Sequence, residues 1–155
     1  GVELEFSSWM LEQLLISGGF AYTDAQLDED NSAFNAPEGR ALPNVPEWTL
    51  NLAATWYFAW LDGIGGYMRG DAQYVDSRIT LFDPTLPEFF PTLAELDSYS
   101  LFNLRLGAEQ GPWRVELFVD NLFDEKADLF CCRYDFDTAI NRPRTTGARL
   151  LYDFY

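Results

Sequence analysis

The sequence contains no histidine, and its 10 Lys and Arg face 25 Asp and Glu, for a formal net charge of -15. Without histidine the commonest metal ligand and the ordinary neutral-pH proton shuttle are both missing. The acidic excess would repel a phosphate backbone, which excludes nucleic acid as a partner. Cysteine is scarce as well: Cys131 and Cys132 stand side by side, a spacing that closes no loop and matches no zinc site. No Gly-x-Ser-x-Gly elbow, phosphate loop or metal-ligand spacing occurs, so neither an enzyme nor a bound cofactor is expected. No stretch of about 18 apolar residues is present, which excludes a membrane-crossing helix. No signal-peptide pattern precedes Val2-Glu3-Leu4-Glu5-Phe6. The chain reads as a piece that opens inside a strand.

What the sequence does have is aromatic residues, 17% of the chain within a hydrophobic share of 48%, and a periodicity of two. Val2, Leu4 and Phe6 alternate with Glu3, Glu5 and Ser7. Leu14, Ile16, Phe20 and Tyr22 oppose Ser17, Gly19, Ala21 and Thr23. Trp48, Leu50, Leu52, Ala54, Trp56 and Phe58 oppose Thr49, Asn51, Ala53, Thr55 and Tyr57. Four more runs follow, over 68–74, 102–109, 114–120 and 148–154. Strict alternation of this kind marks strands with one apolar and one polar face. Each run is about as long as a tilted strand that crosses a bilayer.

The connections carry a second signal. Trp9 to Glu12, Ala59 to Gly66 and Gln110 to Pro112 are short, whereas Ala25 to Pro46, Ser77 to Asp97 and Asp124 to Pro143 are long. In an up-and-down membrane barrel every other connection faces the same side, with tight turns in the periplasm and long loops outside. Greek-key sandwiches have no reason to keep that beat. The expected fold is therefore all-β, an antiparallel up-and-down transmembrane β-barrel segment of about seven meandering strands. Seven strands cannot close such a barrel, because an open sheet leaves two unsatisfied edges in lipid. Two other readings compete: a small structural outer-membrane barrel, and a soluble β-sandwich that binds carbohydrate.

Four stretches resemble the TonB-dependent receptor family, and the likeness spans the whole chain. They are Gly-Val-Glu-Leu-Glu at 1–5, Leu-Pro-Asn-Val-Pro-Glu-Trp-Thr-Leu-Asn at 42–51, Leu-Phe-Val-Asp-Asn-Leu-Phe-Asp-Glu at 117–125, and the closing pair Arg-Pro-Arg-Thr-Thr-Gly at 142–147 and Leu-Leu-Tyr-Asp-Phe at 150–154. The resemblance implies that 1–155 is the C-terminal part of a barrel of about 22 strands, with plug and earlier strands elsewhere. It also implies a receptor in the outer membrane of a Gram-negative bacterium. Such a receptor imports a scarce nutrient (ferric siderophore, haem, cobalamin or oligosaccharide) with energy from the TonB complex, contacted through the missing N-terminal part. The family usually ends on a lipid-facing aromatic read by the barrel-assembly machinery. Phe154 fits that register, yet Tyr155 follows it, so either residue could be the recognised end.

Candidate site residues follow from the two faces. Trp48, Trp56, Phe58, Tyr74, Trp113 and Tyr152, near strand ends, are expected to anchor at the membrane interfaces beside outer-membrane lipid. Arg69, Asp71, Gln73, Arg105 and Glu116 fall on the polar side with Asn103, Arg114 and Asp120, and are the lumen candidates for contact with the nutrient. The loop acids (Asp28, Glu29 and Asp30; Asp83, Glu88, Glu95 and Asp97; Asp124, Glu125, Asp128, Asp135 and Asp137) read as solvated charge, since no calcium-loop spacing appears. Loop aromatics Phe34, Phe82, Phe89, Phe90, Phe130, Tyr134 and Phe136 are expected to pack the loops together. Cys131 and Cys132 would form either a vicinal disulfide or bonds to cysteines elsewhere.

Overall fold

A computed structural model of the chain describes residues 1–61, 63–82, 95–131 and 138–154. Cys132, Asp83, Glu88, Phe89, Phe90, Tyr134, Asp135, Phe136, Asp137 and Tyr155 lie outside the described residues, and the expectations placed on them, including the Cys131–Cys132 pairing, go no further.

Seven long strands form one antiparallel sheet: β1 (Val2–Leu11), β2 (Leu14–Tyr22), β3 (Trp48–Leu61), β4 (Ile64–Val75), β7 (Tyr99–Gln110), β8 (Trp113–Asp120) and β11 (Thr145–Tyr152). Each pairs with the next in that order, so the sheet is an up-and-down meander. Short ribbons stand in the long connections: β5 (Arg78–Ile79) with β6 (Glu95–Leu96), and β9 (Asp128–Cys131) with β10 (Thr138–Ile140). These ribbons are too short for alternation to reveal, and they were not expected.

Three strands run further at the short turns than the alternation suggests: β1 reaches Leu11, β3 reaches Leu61, and β4 starts at Ile64. The register shifts between Trp9 and Leu11 and again between Ala59 and Leu61. A bulge inserts an extra residue and breaks the two-residue period while pairing continues, so the apparent end of the pattern comes too early. The β3–β4 and β7–β8 turns each use a left-handed residue, supplied by Gly63 (φ 77) and Gly111 (φ 56).

Register assigns the faces. Leu50, Tyr74 and Ser100 line up across β3, β4 and β7, and Leu106, Leu117 and Ala148 across β7, β8 and β11. Every charged residue of the seven long strands lies on the other face, with Thr55, Arg69 and Arg105 in one row and Gly107, Glu116 and Arg149 in another. The sheet is a single layer. Leu50, Leu104 and Leu117, which a sandwich would bury between two sheets, are 47%, 42% and 55% exposed. That overturns the sandwich reading. Among the described residues β1 pairs only with β2, and β11 only with β8. The sheet is therefore open.

Aromatic rings close over glycines on the neighbouring strand. Tyr67 covers its partner Gly107 and Phe118 covers Gly147 on the polar face, while Phe58 covers Gly66 on the apolar face. A side chain at any of these glycines would occupy the space of the ring, so each pair is a matched fit that pins register.

Candidate functional site

Three of the five polar-face candidates meet in one network. Arg69 and Arg105 stand directly opposite each other on β4 and β7, an unfavourable pairing of like charges. Asp71 resolves it: its carboxylate accepts from Arg69 Nη2 at 2.6 Å and from Arg105 Nη1 at 2.7 Å. Arg105 also reaches Asp120 at 3.4 Å, and Arg69 Nη1 donates to the buried Thr55 hydroxyl at 3.3 Å. Two cations and two anions cancel over three strands.

Glu116 belongs to a separate cluster. Its carboxylate accepts from the Tyr67 hydroxyl at 2.7 Å and from Arg149 at 2.9 Å, and the Arg149 guanidinium lies 4.6 Å from the centre of the Phe118 ring. Arg114 pairs with Glu109 at 2.6 Å nearer the turn end. Gln73 stands apart, exposed, with no side-chain hydrogen bond among the described residues. Sequence reasoning missed Tyr67 and Arg149 as members of this cluster. Tyr67 shares parity with Arg69 and Asp71, a usable signal, but it sat beside a segment read as turn.

The aromatic candidates gather at the two ends of the apolar face. Trp48 packs with Phe20 at 5.3 Å and Tyr22 at 4.6 Å at the long-loop end. At that same end the Tyr74 hydroxyl donates to Asp76 at 3.0 Å, and Phe102 meets Phe123 edge-on at 5.2 Å. At the short-turn end Trp56, Phe58 and Trp60 form a run at 5.1 and 5.8 Å. Trp113, Tyr152 and Phe154 do the same at 4.6 and 4.7 Å, which keeps Phe154 on the apolar face beyond the end of β11. Between the two ends β3 presents Leu50, Leu52 and Ala54 on this face. From Trp48 in one ring cluster to Phe58 in the other, at about 3.3 Å per residue and a tilt of about 40°, the separation spans roughly 25 Å.

At the long-loop end the connections are laced together. Asn121, buried and left-handed at φ 53, donates to the carbonyls of Glu125 and Arg142 at 2.9 and 3.0 Å and accepts from the Glu125 amide at 2.9 Å. Asn141 binds the same Glu125 carbonyl, and Asp124 accepts from the Arg144 amide, both at 2.9 Å. Asp124 was expected as solvated charge; here it clasps the two feet of the third long connection. Phe34 stacks on Phe82 at 5.6 Å and Arg40 donates to the Phe82 carbonyl at 3.1 Å, tying the first connection to the second. The second is tied to the third by Arg78, whose Nη2 donates to the Leu129 carbonyl at 2.9 Å. Arg78 carries no periodic signal that a sequence could reveal.

A family profile described as "TonB dependent receptor-like, beta-barrel" matches residues 1–122. Two curated relatives, both metal-pseudopaline receptor CntO, come from Pseudomonas aeruginosa. The protein of strain PAO1 is 30% identical and that of strain UCBPP-PA14 is 37% identical, each over 129 residues that make up 81% of this chain and 16% of the relative. Among solved structures, BauA, the ferric preacinetobactin receptor from Acinetobacter baumannii, matches with a TM-score of 0.80 at 19% identity, over 98% of this chain and 21% of that one. The ferric-catecholate import receptor Fiu from E. coli K12 matches with a TM-score of 0.74 at 20% identity, over 96% and 19%. At such identities these two likenesses speak for the fold. The chain spans 16% of the length of its curated relatives.

Proposed function

Because the chain belongs to the TonB-dependent receptor β-barrel family, we propose that it forms part of the wall and mouth of an outer-membrane importer. The cargo in this reading is a metal–chelator complex captured at the cell surface and drawn inward with energy relayed by TonB through another part of the protein. One observation carries the reading: an uncovered apolar face with an aliphatic band, bounded by ring clusters at both ends. Water does not tolerate an apolar patch of that extent on a folded protein, whereas hydrocarbon between two interfaces suits it.

The remaining roles follow from that orientation. Trp48 and Tyr74 anchor at the outer interface, and Trp56, Phe58, Trp113 and Tyr152 at the inner one, beside outer-membrane lipid. Phe154 joins the inner ring cluster through Tyr152. The interior face carries Arg69, Asp71 and Arg105, whose charges are spent on one another, and Glu116, whose charge is met by Arg149. They stiffen the wall; exposed Gln73 keeps donors and an acceptor for a passing solute. Metal complexes are preferred over haem, cobalamin and oligosaccharide because the names of the relatives specify metal or ferric complexes.

The test is deletion of the full-length gene, followed by uptake of radioiron supplied as chelate complexes. Uptake of at least one complex should fall to background, return with the intact gene, and stay absent in a strain without TonB. Unchanged uptake of every metal chelate, with loss of uptake of an oligosaccharide, would replace the cargo class. Recovery of the protein in a detergent-free soluble fraction would end the membrane reading.

A further inference from the structure

Cations are few in this chain, 10 against 25 acids, and most of those described are already engaged. Arg69, Arg105, Arg114 and Arg149 are ion-paired, and Arg40 and Arg78 donate to backbone carbonyls. Lys126, Arg142 and Arg144 remain. All three are exposed, and among the described residues none has a carboxylate within ion-pairing distance. They stand together at the feet of the third long connection, where 124–127 and 141–144 run side by side. There the Ala127 amide donates to the Asn141 side chain at 2.9 Å and the Asn141 amide to the Ala127 carbonyl at 3.1 Å. The Arg144 amide donates to Asp124 at 2.9 Å. Asn121, Ala127 and Asn141 are buried beneath this platform, so the cations are carried on a fixed backbone. Asp124, Glu125 and Asp128 are exposed in the same connection, yet they leave the three cations unpaired.

Register gives the patch a direction. Arg142 and Arg144 precede Thr146, Ala148 and Leu150 at two-residue steps, on the apolar side of β11. Thr146 pairs with Val119 at the end of β8. Just past that end the Leu122 amide donates to the Phe102 carbonyl at 2.7 Å, and Phe123, 68% exposed, meets Phe102 edge-on at 5.2 Å. These rings lie at the long-loop end of the apolar face, the level at which aromatic side chains meet lipid headgroups. One step further down the face, Met68, Leu104, Leu106, Leu117 and Val119 line an open groove of about 210 Å³. Cations, rings and groove thus follow one another along the same side of the sheet.

We propose that this strip binds a phosphate-bearing lipid of the outer leaflet, its phosphate on Lys126, Arg142 and Arg144 and an acyl chain over Phe123 and the groove. A free anion would use the cations and leave the rings and groove idle. A zwitterionic lipid would use the groove but bring a cation of its own to the patch. An anionic lipid uses both. The guanidinium fork matches phosphate oxygens with short, charge-assisted bonds, and basic side chains at a membrane surface draw anionic headgroups. The assignment rests on the reading that the apolar face meets a bilayer, and it adds which lipid that face selects at its outer edge.

The experiment uses the full-length receptor in detergent and native mass spectrometry with two probes, dioleoyl phosphatidic acid and dioleoyl phosphatidylcholine. Phosphatidic acid should be retained roughly tenfold or more over phosphatidylcholine, as expected for two or three basic contacts. The preference should shrink as salt rises. Arg144→Gln should lower it by roughly fivefold, Arg144→Lys should keep most of it, and Lys126→Gln, Arg142→Gln and Arg144→Gln combined should abolish it. Inorganic phosphate at the same concentration should not displace the lipid. If the combined variant fails to fold, as read by heat-dependent mobility of the barrel on gels, the wild-type lipid preference and Arg144→Gln decide the matter. Equal retention of the two lipids, an unchanged preference in a folded combined variant, or displacement by inorganic phosphate would each overturn the lipid site. Equal retention by a receptor found in the membrane fraction removes the site and keeps the membrane reading. A soluble receptor whose purified form still prefers phosphatidic acid does the reverse.

Discussion

The two faces of the sheet share one backbone and are held by opposite means. On one face Leu50, Leu104 and Leu117 stand largely uncovered, and nothing in the described residues packs over them. On the other, Asp71 bridges Arg69 and Arg105, and Glu116 joins Tyr67 to Arg149. The polar face satisfies itself; the apolar face depends on what surrounds it. Stability of the first should respond to the loss of a partner, and stability of the second to the solvent.

The sharpest way to break this contrast is to move a charge across it. Leu104 sits mid-strand on the apolar face between Gly70 and Val119. Leu104→Arg should cost about 2–4 kcal/mol if that face meets the bilayer midplane. Gln73→Arg, on the polar face with no described partner, should stay within about 0.5 kcal/mol. Reversible folding of the full-length receptor into lipid vesicles, titrated with denaturant, measures both. Equal costs would mean that the two faces meet the same medium.

A second contrast sets sheet against loops. Asn121→Ala removes two donated bonds and one accepted bond inside a buried clasp, and places alanine at φ 53. The expected loss is about 2 kcal/mol, felt locally. Amide exchange should rise through 124–131 and 138–143 while β7 and β8 remain protected. A uniform rise across the sheet would show that the clasp supports the barrel wall and not the loop alone.

These cases also show what alternation makes legible. A period of two says which face a residue takes, so Arg69, Asp71, Arg105 and Glu116 were placed correctly on one side. It does not say who meets whom. That depends on register, which the bulges at Trp9/Leu11 and Ala59/Leu61 help set, and bulges interrupt the very pattern being read. Hence Arg105 was placed without Asp71, and Tyr67 fell next to a turn read too wide. Asn121 was visible as part of a family-like stretch, but its work as a clasp depends on Arg142, distant in sequence. Arg78 and Arg40 lie in connections, where burial is set by loops folding on one another and no short-range periodicity records it.

The smallest expected effect separates geometry from environment within the polar face. Arg114–Glu109 and Arg149–Glu116 are both directly opposed cross-strand pairs. The first is the shorter, at 2.6 Å against 2.9 Å, but both its side chains are 46% exposed, whereas Glu116 is 11% exposed beneath Arg149 at 52%. Water screens an exposed pair, and holding two long side chains in place costs entropy, so Arg114→Gln should cost under about 0.5 kcal/mol. Arg149→Gln removes a partner from a nearly buried carboxylate and a cation from the Phe118 face, for about 1 kcal/mol. Double-mutant cycles with Glu109→Gln and Glu116→Gln measure the two couplings. A larger coupling for the shorter pair would mean that distance outweighs burial on this wall, and that the polar face is wetter than its hydrogen bonding suggests.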